Sequence, residues 1–435
     1  MDAAVGAARA RRTAVVKPGK LVVVGQGYVG LPIAMRAVEA GFDVVGLDLD
    51  EYRISALRHC ESYVEDVSAE QLRCALASGR FRPSNCYDDA AGFQAAIITV
   101  PTPLKEYRPD LSFIEMATTA LAGHVRQGVT VVLESTTYPG TTEELVVPLL
   151  EAGSGLVAGR DFAVGYSPER IDPSNPQWTF VNTPKVVSGI DESSLAAVQA
   201  LYGRLVDTTV PVSTPKEAEL CKLLENTFRH VNIALVNEIA MFAGQLGVDV
   251  WETIDAASTK PFGYLRFTPG PGVGGHCLPI DPTYLSWQVR RQLGRSFRFV
   301  ELANDINDHM PDYVVQRVVT GLNKCGKALS DSRVVAIGLA YKRNTGDVRE
   351  SPAHRVIELL SELGAVVEVV DTHVEPYRCP SGVKIVELTE DCLRSADAVV
   401  LLTDHDDVDY SLLERTPTWV LDTRHRLTAR HVEYL

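Results

Sequence analysis

A short apolar strand pattern, Lys20–Val24 with its one charge at the start, leads straight into Gly25-Gln26-Gly27-Tyr28-Val29-Gly30. A helical pattern from Leu31 to Ala40 follows, closed by Gly41, and a second apolar run, Asp43–Leu47, ends at Asp48. Runs without polar alternation are what strands buried on both faces require, as in a parallel sheet flanked by helices. The same pattern returns at Ala95–Val100, Val129–Glu134 and Phe162–Tyr166. Their polar exits are Pro101-Thr102-Pro103, Ser135-Thr136-Thr137 and Ser167-Pro168-Glu169-Arg170. After Pro215 the period changes. Leu220, Leu223, Leu224, Phe228, Val231, Leu235 and Ile239 recur at helical spacing and predict one long helix from Lys216 to about Leu246. A glycine- and proline-rich loop, Thr268–Cys277, comes next. The strand and helix pattern restarts with strands at Val334–Leu339, Val366–Asp371, Ala398–Leu402 and Trp419–Asp422, and a helix at His354–Leu363.

The predicted fold class is α/β, with two Rossmann-like doubly wound domains joined by a long central helix and a helical middle domain. A Gly-x-Gly-x-x-Gly string carries weight only between a strand and a helix, and here it stands between them. Its glycines permit a tight turn and close approach of a pyrophosphate, whose charge the helix N-terminus stabilises. Asp48, at the end of the second strand, suits the hydroxyls of an adenosine ribose and favours NAD over NADP. In such a sheet, ligands bind outside the carboxyl ends of the strands, so the polar exits are where cofactor and substrate are expected to meet.

Composition narrows the function classes. At 435 residues the chain is long enough for two or three domains, and 46% hydrophobic with 23% charged residues excludes a largely disordered chain. The 42 basic against 56 acidic residues, a net charge of −14, argue against nucleic-acid binding, which rests on neutralising phosphates. No apolar run reaches the length of a membrane helix, so no membrane partner is expected. The eight cysteines form no Cys-x-x-Cys pair. Neither a zinc site nor a disulfide framework is expected; free thiols in the reducing cytoplasm are. The first nineteen residues, Ala-rich and basic, read as a flexible extension without a secretory apolar core.

The motifs together resemble the nucleotide-sugar 6-dehydrogenase family, which includes UDP-glucose and UDP-N-acetylglucosamine dehydrogenases. They occur in the family's order: Gly25–Gly30, Val100-Pro101-Thr102-Pro103, Ser135-Thr136, Pro168-Glu169-Arg170, and Lys222 with Asn226. Gly274-Gly275-His276-Cys277 with Asp281 and Gly346-Asp347-Val348-Arg349-Glu350-Ser351 complete the set. The resemblance implies an NAD-binding domain over residues 20–212 and a central helical dimerisation domain carrying the cysteine loop over 213–325. It implies a nucleotide-sugar-binding α/β domain over 326–435. A homodimer through the long helix is the expected assembly.

The family oxidises the C6 alcohol of a sugar nucleotide to a carboxylate with two NAD. Such a reaction needs a base, an oxyanion stabiliser and, for the second hydride, a nucleophile that makes the aldehyde carbon tetrahedral. The resemblance assigns the nucleophile to Cys277, which passes through a thiohemiacetal and a thioester. Lys222 and Asn226 then stabilise the oxyanion, Asp281 orients water with Lys222, and Glu169 is the base for hydrolysis, with Thr136 holding the water. For the cofactor it implies Gly25, Gln26, Gly27, Tyr28, Val29, Gly30, Asp48, Arg53, Val100, Pro101, Thr102, Pro103, Ser135, Thr136, Cys277 and Arg349. For the sugar nucleotide it implies Glu169, Arg170, Lys222, Asn226 and the loop from Phe267 to Gly274. A diphosphate needs cations, and Lys342, ending the strand in Leu339-Ala340-Tyr341-Lys342, and Arg424, following the last strand, are candidates. Arg266 is the candidate for an arginine lent by a neighbouring subunit.

The expected substrate is UDP- or dTDP-glucose, with a UDP-N-acetylhexosamine as the alternative. Two departures from the UDP-glucose branch bear on this choice: Ile280 stands where that branch has a lysine, and Pro173 where it has a second glutamate. The string Gly272-Val273-Gly274-Gly275-His276-Cys277-Leu278-Pro279-Ile280-Asp281-Pro282 resembles the N-acetylhexosamine branch instead. A two-electron hydroxyacid dehydrogenase of the 6-phosphogluconate type would share the glycine loop and long helix but would not need Cys277. A non-catalytic sugar-nucleotide-binding protein would not need Cys277, Lys222 and Asp281 together.

Overall fold

The computed structural model describes residues 18–64, 66–105, 108–171, 175, 177–275, 278–429 and 431–435. Cys277, Pro173 and nearly all of the N-terminal extension lie outside the described residues. The chain divides into two compact units that meet in sequence between Lys222 and Leu223.

The first unit is built on a six-stranded parallel sheet. In spatial order its strands are Phe81–Ser84, Asp43–Leu47, Lys20–Val24, Ala95–Ile98, Thr130–Leu133 and Ala163–Tyr166. Alternate residues of the four inner strands enter two separate cores. Leu21 and Val23 pack with Leu31, Ile33 and Ala37 of the helix Gly30–Glu39. Val22 and Val24 pack with Ile114, Ala117 and Leu121 of the helix Ser112–Ala122. Both faces are covered, which is why the strands read as continuous apolar runs. Burying each such side chain contributes about 1.5–3 kcal/mol, so the sheet is a rigid frame. The strand order reverses between Lys20–Val24 and Ala95–Ile98, and the glycine loop leaves the sheet at that switch point.

The second unit repeats the design. Its six parallel strands run Lys384–Ile385, Val366–Val370, Arg333–Ile337, Ala398–Leu401, Trp419–Asp422 and Val432–Tyr434 in spatial order. The helices Pro352–Glu362 and Arg298–Lys324 cover one face, and Glu390–Ser395 and Ser411–Arg415 the other. The helices Val250–Ser258 and Asp281–Leu293 precede this sheet in sequence.

Several boundaries differ from the sequence reading. The long helix spans Pro215–Ala243 and ends in a 3₁₀ turn, Gly244–Leu246. The strand expected at Val334–Leu339 stops at Ile337. Gly338 has φ +86°, which ends the extended backbone, so Lys342 does not end a strand but lies on the turn beyond it. The helix expected at His354 begins at Pro352, whose missing N–H costs nothing in a first turn.

Candidate active site

The cofactor loop is fixed by its own backbone. The Gly25 amide donates to Leu47 O at 2.7 Å, and Thr99 Oγ1 donates to Gly25 O at 2.9 Å. At Gly30 a Cβ would stand 1.8 Å from the Gly25 carbonyl oxygen, so only glycine lets the helix start here. At Gly27 a Cβ would meet nothing nearer than Arg53, at 3.8 Å, which leaves an open face for a pyrophosphate. Asp48 accepts from the Gln26 amide at 2.8 Å and from the Asp50 amide at 3.0 Å, and Arg53 Nη1 lies 3.3 Å from its carboxylate. The carboxylate is thus held in one orientation by the protein's own donors. The Gln26 side chain is fully buried and donates to Val23 O at 2.9 Å, while Tyr28 and Val29 are half-buried in the loop. These residues fit a dinucleotide.

The next strand exits stand beside this loop in the sheet. Ser135 Oγ donates to Val100 O at 2.8 Å and ties two exits together. Thr102 is buried, Val100, Pro103 and Thr136 are half-buried, and Pro101 is exposed. At the following exit Glu169 is buried. Lys222 Nζ donates to Glu169 O at 2.7 Å and to Glu169 Oε2 at 3.1 Å. Arg170 Nη1 donates to Pro184 O at 2.7 Å, and its Nη2 lies 3.5 Å from Cys221 Sγ. A buried ammonium held by a carboxylate can stabilise an oxyanion, and the carboxylate can accept a proton from water.

Glu219, three residues before Lys222, was not legible in the sequence. It accepts from the Gly140 amide at 2.6 Å, the Thr142 amide at 2.9 Å and Thr142 Oγ1 at 2.7 Å. It thereby holds the turn that follows Thr136. Burial pushes its carboxyl up to about 7, against the opposing pull of these hydrogen bonds.

In the second unit Asn226 Nδ2 donates to Asp281 Oδ2 at 2.5 Å, and both residues are buried. Asp281 opens the helix Asp281–Leu293. The glycine-rich loop is pinned at both ends: Gly270 N donates to Asn237 Oδ1 at 2.9 Å and Gly275 N to Arg349 O at 3.0 Å. Gly274 lies beside the Gly275 contact in the same loop. A side chain at Gly270 would stand 3.0 Å from Arg424 Nη1, so Arg424 faces the loop, while its Nε donates to Leu402 O at 2.6 Å. Lys342 is half-buried. The Arg349 guanidinium folds back on Asp347, with Nη2 at 2.6 Å from Oδ2. Arg266 Nη2 donates to Asp255 at 2.7 Å, and Phe267 meets Phe228 edge-on at 5.8 Å between centroids. No cluster of metal-ligating side chains and no membrane-length apolar helix occurs among the described residues.

The sequence matches three models of one family. They are the UDP-glucose/GDP-mannose dehydrogenase family NAD binding domain over residues 19–206, its central domain over 216–309 and its UDP binding domain over 335–429. The UDP-N-acetyl-D-mannosamine dehydrogenase of Pyrococcus horikoshii is 36% identical over 387 residues, covering 89% of each chain. A solved structure of UDP-D-ManNAc dehydrogenase from that organism has a TM-score of 0.87 at 33% identity, covering 95% of this chain and 98% of the other. The NDP-N-acetyl-D-galactosaminuronic acid dehydrogenase of Ralstonia solanacearum is 34% identical, covering 94% of this chain and 96% of its own. The solved UDP-glucose dehydrogenase of Pyrobaculum islandicum has a TM-score of 0.86 at 30% identity, covering 96% and 97%.

Proposed function

The chain belongs to the UDP-glucose/GDP-mannose dehydrogenase family as an NAD-dependent nucleotide-sugar dehydrogenase, and from that premise we propose that it oxidises the C6 alcohol of a UDP-N-acetylhexosamine to the uronic acid. The sugar assignment is carried by the relatives: two that match nearly the whole chain bear N-acetylhexosamine names. They support this alternative over the UDP-glucose expectation. Fold likeness does not separate the sugars, because a UDP-glucose dehydrogenase has nearly the same TM-score as the ManNAc enzyme.

NAD, when bound at the glycine loop and Asp48, supplies the acceptor for each of two hydrides. In the first oxidation the C6 hydroxyl loses its proton through a water oriented by Asp281, and Lys222 stabilises the developing oxyanion while the C6 hydride leaves. The Cys277 thiolate then adds to the aldehyde carbon, forming a C–S bond. Lys222 and Asn226 hold the resulting oxyanion, and loss of the second hydride leaves a thioester. For hydrolysis Thr136 holds a water and Glu169 takes its proton. The water oxygen bonds to the carbonyl carbon, the C–S bond breaks, and the electron pair returns to sulfur as thiolate. Arg424 and Lys342, beside the glycine-rich loop and on the turn after Ile337, supply charge for the diphosphate. Cytoplasmic action and a homodimer complete the proposal.

A panel of UDP-N-acetylmannosamine, UDP-N-acetylglucosamine, UDP-N-acetylgalactosamine, UDP-glucose and dTDP-glucose with NAD tests it. The highest kcat/KM is expected with one of the three N-acetylhexosamines. Preference for a glucose nucleotide would reverse the sugar assignment.

A further inference from the structure

Lys185 opens the short strand Lys185–Val187, and its ammonium is buried in the first unit. It donates to Glu134 Oε1 and, at 3.0 Å, to the carbonyl oxygen of Pro168. The other Glu134 oxygen accepts from the Tyr202 hydroxyl at 2.5 Å. The rings of Phe180 and Tyr202 close around the ammonium, with centroids at 5.5 and 5.3 Å. Glu134, Lys185 and Tyr202 have 1%, 3% and 0% of their surface exposed, so none of the three reaches a ligand from solvent.

Burying a lysine and a glutamate is costly, and apolar residues of similar volume stabilise such a site as well or better. Stability is therefore a poor reason for this pair, and what it connects is a better one. Glu134 directly precedes Ser135-Thr136, and Pro168 directly precedes Glu169. One ammonium thus holds two neighbouring strand exits at once. Backbone pairing ends there, with Ser167 N donating to Leu133 O at 3.1 Å.

We infer that Lys185, braced by Glu134 and Tyr202, is a positioning residue that fixes the Pro168-Glu169 exit against the Ser135-Thr136 exit, so that the water of thioester hydrolysis lies within reach of both Glu169 and Thr136. The inference rests on the hydrolytic role proposed for Glu169. It concerns only the last step, since both hydrides have left before the water attacks. Loosening the brace misplaces the base relative to its water, and a displacement of about 1 Å can cost about 10²-fold in rate.

Rapid mixing of enzyme, NAD and UDP-N-acetylmannosamine, or the best substrate of the panel, separates the stages. For Lys185→Met the expected result is a full burst of two NADH per active site, followed by acid release slowed about 10²-fold, with the sugar held covalently on the protein. Tyr202→Phe keeps the ion pair and removes one hydrogen bond; it is expected to show the same pattern more weakly, and it decides alone if Lys185→Met does not fold. Acid release at the wild-type rate in both variants would overturn the inference. So would a burst that shrinks in proportion to the steady-state rate, the mark of general damage. Glu169→Gln is the control: if it shows no slow-release pattern, the role of Glu169 itself fails, a different outcome from failure of Lys185 alone.

Discussion

Lys222 Nζ donates to the backbone oxygen of Glu169 at 2.7 Å and to the Glu169 carboxylate at 3.1 Å, across 53 positions of sequence. The ammonium has little solvent around it, so its charge is available to whatever oxyanion forms beside it.

Lys222→Ala is expected to lower kcat by about 10²–10³-fold, the usual effect of removing one oxyanion stabiliser. Steady-state kinetics check it. A change confined to KM would make Lys222 a substrate-binding group instead. The variant also leaves the buried Glu169 without its cation, so a loss of stability of about 3–5 kcal/mol is expected alongside.

Glu219 gives the fold a pH dependence. Its carboxyl is raised by burial from an ordinary value of 4.5 to about 7 in the folded chain. The folded state therefore holds the proton more tightly than the unfolded one. Its contribution is fully present below the ordinary carboxylate range and is lost as pH rises through about 7. Denaturant melts at pH 5 and pH 8 are expected to show wild type losing on the order of 3 kcal/mol more than Glu219→Gln over this interval. Parallel behaviour of the two proteins would remove Glu219 as the source.

Asp48 is held by two backbone amides and Arg53. Asp48→Ser is expected to raise KM for NAD about tenfold, the loss of one charge-assisted hydrogen bond. It should also narrow the gap between NAD and NADP, because Arg53 is released to meet a 2′-phosphate. Unchanged cofactor preference would dissociate Asp48 from the ribose.

Leu224 is 62% exposed on the long helix, with Leu220, Phe228, Leu235 and Phe242 also exposed along it. An apolar series of this kind marks an interaction surface. Light scattering is expected to give a dimer for wild type and a monomer for Leu224→Asp. A monomeric wild type would end the proposal that this helix pairs two copies.

Much of this architecture was legible because it is written in local pattern. Leu21–Val24, Val44–Leu47 and Trp419–Leu421 are apolar runs, and the strands Lys20–Val24, Asp43–Leu47 and Trp419–Asp422 each add one charged residue at an end. Phe81–Ser84 has Pro83 within it, and Lys384–Ile385 is only two residues long, so neither announces itself. The helix Arg298–Lys324 was hidden by Pro311 in its interior, which normally signals a break. Leu339 and Ala340 prolong the apolar run and give Lys342 the pattern of a strand end, whereas the turn at Gly338 is a backbone property. The side chains behind the candidate site were the least visible. Glu219 meets Thr142 across 77 positions and Lys185 meets Glu134 across 51, and no periodicity encodes such a meeting. Lys222, Asn226 and Asp281 were found through the motifs they stand in, not through their contacts.

The number of NADH formed per sugar, with the product acid identified by mass spectrometry, bears on everything proposed above. Two NADH and one uronic acid are expected from each UDP-N-acetylhexosamine consumed, with Cys277→Ser releasing no acid at a normal rate. One NADH per sugar, or two with undiminished acid release from Cys277→Ser, would contradict the four-electron thioester route.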